Sequence, residues 1–194
     1  MTPLYLLRHG PTAASEGGAP LGRRDLPVTP AGQARWPAVK AELDALGLKR
    51  VLCSPLQRSR AHAEDLGLPL QVLASLAEQD FGAWDGRPWA ELCAAEPIAT
   101  QAFFADPVRA APPGGESFER AANRAVTTLQ AALAGEAPTL VLAHGGPLRA
   151  LLAHLLGLPL ARALDLAWAP FGLSALEIYE PNRGLLRFHN RTLG

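Results

Sequence analysis

Two short apolar runs end in the same way, and that ending limits the fold more than any other feature of the chain. Leu4-Tyr5-Leu6-Leu7 stops at Arg8-His9-Gly10, and Thr139-Leu140-Val141-Leu142-Ala143 stops at His144-Gly145-Gly146. A short continuous apolar run bounded by glycine reads as a buried strand. If both strands lie parallel in one sheet, both histidines leave it at the carboxyl edge, where open α/β sheets bind ligands. Two histidines and an arginine meeting there form the candidate site.

The rest of the chain alternates strand and helix signals. Strands are expected at about Pro3 to Leu7, Arg50 to Cys53, Leu70 to Leu73 and Thr139 to Ala143. Thr29-Pro30 opens a helix that runs to about Leu46 with Gly47 as its cap, and Trp36, Val39, Leu43 and Leu46 face the core. Further helices are expected over Leu56 to Leu66, in one or two pieces over Pro88 to Phe104, from the N-cap Ser117 to about Leu133, over Pro147 to Leu156, and over Pro159 to Leu164. Pro11 to Pro27, Ala77 to Gly86 and Pro107 to Gly115 read as loops. Ser174 to Tyr179 and Leu185 to His189 read as an edge hairpin turning at Pro181 to Gly184, and Asn190 to Gly194 as a frayed tail. Such alternation predicts an α/β fold, a three-layer α/β/α sandwich whose mostly parallel sheet has an antiparallel edge.

At 194 residues the chain is expected to be one domain over residues 1–194. Its formal net charge is zero, which disfavours a nucleic-acid or membrane partner held by bulk charge. All basic residues but Lys40 and Lys49 are Arg, the side chain suited to bidentate phosphate contacts. Cys53 and Cys93 are too few for a disulfide framework, the leading apolar run is too short for a signal peptide, and no window matches a membrane span. A cytoplasmic protein is the expectation. The apolar hairpin Ala175 to Tyr179 could serve as a homodimer surface, or simply pack into the core.

Three strand ends converge on one rim, carrying Arg8 and His9, Ser54 before Arg58, and His144. A neutral imidazole can act as a nucleophile, and flanking arginines favour its neutral form. Guanidinium groups match the oxygens of a transferring phosphoryl group. Hydrolysis also needs a proton donor and a base, and from spacing alone Glu78, Asp80 and Asp85 are equal candidates. Arg60 and Arg149 compete with the other arginines for a role. No metal-ligand pair sits at a recognised spacing, so neither a metal nor another cofactor is expected.

Leu7-Arg8-His9-Gly10-Pro11-Thr12, Ser54-Pro55-Leu56-Gln57-Arg58-Ser59-Arg60, Leu76 to Gly86 and His144-Gly145-Gly146 occur in the order of the motifs of the histidine phosphatase superfamily, the phosphoglycerate-mutase-like enzymes, which this chain resembles over nearly its whole length. The resemblance implies a phosphoglycerate-mutase-like fold and a phosphohistidine at His9. It implies Arg8, Arg58, His144 and Gly145 around the phosphoryl group, Glu78 as proton donor and then base, and no cofactor. Ser15, Leu21, Gly22 and Arg23, on the loop beside the signature, are the expected substrate contacts.

The chain departs from the mutases. Ser15 stands where they often carry Asn, Pro11 where an acidic residue is usual, and their longer insertion after the acid/base segment is missing. These departures bear on the substrate, not on the chemistry at His9. Within the family, Glu78 to Gly86, Pro112 to Ser117 and His144 to Arg149 most resemble the α-ribazole phosphatases of cobalamin synthesis. The implied partner is a small phosphate ester, with Trp89, Phe103 and Phe104 as a wall suited to a flat heterocycle. A broad-specificity phosphatase, a mutase and a non-catalytic phospho-ligand binder are the alternatives.

Overall fold

In the computed structural model, which describes residues 1–132, 137–180 and 182–194, the leading apolar run forms strand β1 (Thr2–Arg8). A one-turn helix α1 (Ala13–Glu16) and the long helix α2 (Pro30–Asp44) follow, then β2 (Arg50–Cys53), α3 (Gln57–Asp65) and β3 (Leu70–Val72). Helices α4 (Trp89–Ala95), α5 (Pro97–Ala105) and α6 (Phe118–Ala132) lead to β4 (Thr139–Ala143). The order closes with α7 (Gly145–Leu155), α8 (Leu160–Ala163), β5 (Gly172–Glu180) and β6 (Arg183–Thr192).

These strands form one sheet in the order β3-β2-β4-β1-β5-β6. The pairs β2·β3, β2·β4 and β1·β4 are parallel, whereas β1·β5 and β5·β6 are antiparallel and make the edge. Side chains alternate across a strand, so each strand feeds two cores. Leu4 and Leu6 join Val141, Leu148, Leu151 and Ala125 beneath α6 and α7. Leu7 joins Leu140, Leu142, Trp36, Val39 and Phe171 beneath α2 and α3. The result is the three-layer sandwich with an antiparallel edge that the alternation predicts. A separate small core of Trp84, Leu92 and Phe103 sits under α4 and α5.

Helix starts follow local chemistry. Thr29 Oγ1 accepts from the Gly32 amide at 3.2 Å, and Ser117 Oγ accepts from the Arg120 amide at 3.2 Å. Four expectations need correction. The Pro11 to Pro27 loop contains α1, because Thr12 and Ser15 cap each other reciprocally. α2 stops at Asp44, before Gly47 takes its positive φ of 65°. α7 begins at Gly145, two residues before Pro147, since the first turn of a helix tolerates a residue without an N–H.

The fourth correction concerns the tail. Asn190 lies within β6, Leu193 is fully buried in the core under α2, and Arg35 donates to the carbonyls of Leu193 at 2.8 Å and Gly194 at 3.0 Å. In the hairpin, Ala175 and Leu176 are buried and Tyr179 is exposed, so most of the apolar run packs into the core. Leu133 and Pro181, in the predicted end of α6 and the hairpin turn, lie outside the described residues.

One core histidine makes stability depend on pH. His62 on α3 is 8 % exposed, stacks on Trp36 at a centroid distance of 4.1 Å, and has its pKa pushed down to about 4 by burial, with Asp65 opposing the shift. The folded state therefore resists a proton that the unfolded chain takes up near pH 6.5. Its contribution is complete above that value and declines as pH falls toward 4, amounting to about 2 kcal/mol by pH 5. His9 and His144 add to the same decline, so His62→Phe, which keeps the stack, is expected to remove only the His62 share of it in urea-unfolding free energies measured at pH 7 and pH 5. Equal losses in both proteins would refute the assignment.

Candidate active site

Parallel pairing sets the site. β1 and β4 run in register from Leu4 opposite Thr139 to Arg8 opposite Ala143, so the next residues are His9 and His144. The His9 amide continues the ladder to the Ala143 carbonyl at 3.0 Å, and the two imidazoles meet edge-on, 4.9 Å apart. His9 Nδ1 lies 2.6 Å from the Gly10 carbonyl and donates to it, leaving the lone pair on Nε2. Burial, then the cations of Arg58 and Arg8, push the His9 pKa well below the ordinary range. A side chain on Gly10 would place its Cβ 2.4 Å from the Phe171 ring, so glycine lets that ring support the signature.

His144 is fully buried, and both its nitrogens are engaged. Arg58 Nε donates to Nδ1 at 3.1 Å, so Nε2 carries the hydrogen and donates to Ser54 Oγ at 2.6 Å. Burial and Arg58 lower its pKa far below the usual value. Arg58, in the first turn of α3, donates Nη1 to the Arg24 carbonyl at 2.9 Å and Nη2 to the Gly22 carbonyl at 2.7 Å. Nη2 also donates to the Leu21 carbonyl at 3.5 Å, so of the five N–H donors of a guanidinium one, on Nη1, remains for an anion. Arg8 donates to the Trp168 carbonyl.

Glu78 reaches the site from another direction. Its carboxylate accepts from the Gly146 amide at 3.1 and 3.3 Å, in the first turn of α7, and from the Gln79 amide at 2.9 Å. A Cβ on Gly146 would lie 2.3 Å from Glu78 Oε1, so the second glycine makes room for the acid. Arg124 of α6 pins the segment, donating to the Ser75, Ala77 and Glu78 carbonyls and pairing with Glu116 at 2.7 Å. Nothing in the sequence signals this role, because the carbonyls that Arg124 holds lie far from it along the chain. Asp80 instead caps the Gly82 amide, and Asp85 holds the amides of Gly22 and Arg24.

A cavity of about 290 Å³ opens here, its wall including Arg8, His9, Glu78, Ser15, Leu21 and Arg149. Arg58 and His144 lie buried behind that wall. Gly22 serves through its carbonyl to Arg58, Gly145 starts α7, and Arg23 is exposed and paired with Glu116 at 3.5 Å. Arg60 is exposed and bonded to Glu64 at 2.7 Å. A second cavity of about 220 Å³ adjoins the first and is lined by Trp89, Phe103, Phe104 and Leu164, with Glu78 and Arg149 shared between the two. A larger cavity of about 330 Å³, bounded by Trp36 and His62, contains none of these groups. Among the described residues, no three His, Cys, Asp or Glu side chains are placed to hold a metal ion, and no helix is long and apolar enough to cross a membrane.

The family model of the histidine phosphatase superfamily (branch 1) matches residues 4–191. A bifunctional protein of Mycobacterium tuberculosis is 34% identical over 205 residues, 98% of this chain and 54% of that protein, so the chain spans about half that relative's length. The adenosylcobalamin/alpha-ribazole phosphatase of Salmonella typhimurium is 32% identical over 184 residues, covering 91% of each. The crystal structure of the alpha-ribazole phosphatase from Shigella flexneri superposes with a TM-score of 0.89 at 27% identity, covering 100% of this chain and 98% of that one.

The two glycines differ in what an added methyl would meet. Gly10→Ala drives it into the fully buried Phe171 ring and is expected to cost about 1–3 kcal/mol of stability. Gly146→Ala meets the movable end of Glu78, so it should cost less and shift the carboxylate off the α7 amide. Thermal melts of both variants and a crystal structure of Gly146→Ala check this; an unmoved Glu78 would contradict it.

Proposed function

The chain belongs to the histidine phosphatase superfamily, and from that membership we propose that it is a phosphomonoesterase working through a phosphohistidine at His9. The observation that carries the reading is the fixed tautomer of His9: Nδ1 is committed to the Gly10 carbonyl, and Nε2 is unprotonated in a wall shared with Arg8 and Glu78. In the first step Nε2 attacks phosphorus, the P–O ester bond breaks, and Glu78 gives its proton to the departing alcohol. In the second, Glu78 takes a proton from water, the oxygen attacks phosphorus, and the N–P bond breaks. Inorganic phosphate leaves, with His9 neutral and Glu78 protonated again.

The arginines act on charge. Arg8, in the cavity wall, and the one remaining N–H of Arg58 supply donors and positive charge for the equatorial phosphoryl oxygens. His144 fixes Arg58 through Nδ1, and its Nε2–H, held by Ser54 Oγ, is the donor it can offer to a phosphoryl oxygen that takes the place of that hydroxyl. We place the working chain in the cytoplasm, where the thiols of Cys53 and Cys93 stay reduced.

Two replacements test the roles, assayed with EDTA present. His9→Ala should abolish turnover and acid-labile phosphate labelling. Glu78→Gln should slow alkyl phosphates far more than p-nitrophenyl phosphate, whose good leaving group needs little protonation. Label on His144, or equal losses on both esters, would overturn the respective assignment. No turnover by the wild type would favour a phospho-ligand binder.

The finer reading concerns the alcohol. Relatives named as alpha-ribazole phosphatases, and an aromatic cavity beyond Glu78, support α-ribazole 5′-phosphate as the substrate. A benzimidazole ring offers a flat apolar face to Trp89, Phe103 and Phe104. The expected preference over AMP, 3-phosphoglycerate and a sugar phosphate is at least about tenfold in kcat/KM, or about 1.4 kcal/mol. A flat profile would leave a broad-specificity phosphatase, and interconversion of phosphoglycerates would make it a mutase.

A further inference from the structure

Arg149 is a half-buried cation that the chemistry at phosphorus does not require. It lies in α7, and its Nε donates to the Leu166 carbonyl at 2.7 Å. Three consecutive carbonyls take three side chains: Leu166 accepts Arg149, Ala167 accepts His189 Nε2 at 2.8 Å, and Trp168 accepts Arg8. The anchors of Arg8 and Arg149 are two residues apart, so at most about 7 Å of backbone separates them. Two guanidinium groups held that close can meet two acceptors of one small molecule. They have separate surroundings, however: Arg8 lines only the phosphoryl cavity, whereas Arg149 lines that cavity and the aromatic one.

The position of Glu78 gives the direction. The proton donor must face the ester oxygen, so the leaving alcohol begins where Glu78 stands and continues into the aromatic cavity. Glu78, Arg149, Phe81 and Trp89 border both cavities and form the passage between them. Gly145 contributes by having no side chain, since a Cβ there would lie 3.3 Å from Arg149 Nη1. Burying a cation is costly unless it gains hydrogen bonds, and a donor at this passage would meet whatever oxygen the first carbons of the alcohol carry.

We propose that Arg149 is a specificity residue that reads the leaving alcohol, donating to an oxygen on the carbon next to the ester carbon. This rests on the phosphomonoesterase reading above. The acceptor is a hydroxyl or ring oxygen, as in a sugar or riboside, or a carboxylate, as in a phosphorylated hydroxy acid. Plain alkyl and aryl alcohols offer none.

The test compares propane-1,2-diol 1-phosphate with propyl phosphate, alkyl esters that differ only in the neighbouring hydroxyl, in the wild type and in Arg149→Gln. The expected result is that the kcat/KM ratio between the two esters falls by at least about tenfold, mainly through KM for the diol phosphate. The ratio is internal to each preparation, so partly misfolded enzyme cancels. Should the Gln variant fail to fold, Arg149→Lys replaces the fork with a point charge and serves the same comparison. A loss for 2-phosphoglycolate, whose carboxylate is next to the ester carbon, that exceeds the loss for the diol phosphate identifies a carboxylate as the preferred acceptor, and a smaller one identifies the hydroxyl. Equal falls for propyl phosphate and the diol phosphate would place Arg149 in the phosphoryl clamp and overturn the proposal. So would a fall in both alkyl esters, but not in p-nitrophenyl phosphate, at constant ratio, since Arg149 would then act through Glu78. A wild type that hydrolyses none of these esters removes the phosphatase reading itself, and this proposal with it.

Discussion

The register of β1 against β4 governs everything built around it. Two parallel strands paired from Leu4·Thr139 to Arg8·Ala143 bring two histidines out side by side at one edge. Slipping that pairing by one residue would send the alternating leucines into the wrong cores and separate the rings. Because both rings leave a sheet buried on both faces, they are stripped of water, and desolvation comes first among the causes that lower their pKa values. The same apolar packing that stabilises the sheet thus keeps an imidazole lone pair free at neutral pH.

The arginines of the site are held differently from those of the surface. Arg8, Arg58 and Arg149 donate to backbone carbonyls of Trp168, Gly22, Arg24 and Leu166. Several surface arginines pair instead with carboxylates, as Arg60 does with Glu64 and Arg187 with Glu177. A carbonyl satisfies the donor without cancelling the cation. The site therefore keeps its positive potential for an incoming dianion, with the Glu78 carboxyl group in its wall.

Much of this was legible in the residues. The apolar runs marked the strands, their glycine ends marked the rim, and Thr29 and Ser117 marked two helix starts through local chemistry. What escaped depended on distant parts of the chain. Glu78 could not be separated from Asp80 and Asp85 by spacing, because the difference is which amides each carboxylate meets. In the sequence Arg149 and Arg60 compete equally for a role, and only the folded chain separates them, placing Arg149 on the Leu166 carbonyl and Arg60 on Glu64 at the surface. The tail looked frayed because its order comes from Arg35 and Glu42 on α2. Pro147 read as a helix start, while the strand passes into α7 directly at His144.

The aromatic wall is a small core of its own. Trp84, Leu92 and Phe103 pack with one another under α4 and α5, apart from the two cores that carry the sheet, and Trp84 is tied to Glu96 at 2.8 Å within the same unit. That unit contains none of the paired strands and none of the carbonyls that hold the arginines. A lineage can therefore rewrite α4 and α5 beyond Trp89, which borders both cavities, acquiring a new alcohol to cleave while the phosphoryl-transfer apparatus is inherited intact. The fold separates the part that must stay fixed from the part on which selection can experiment.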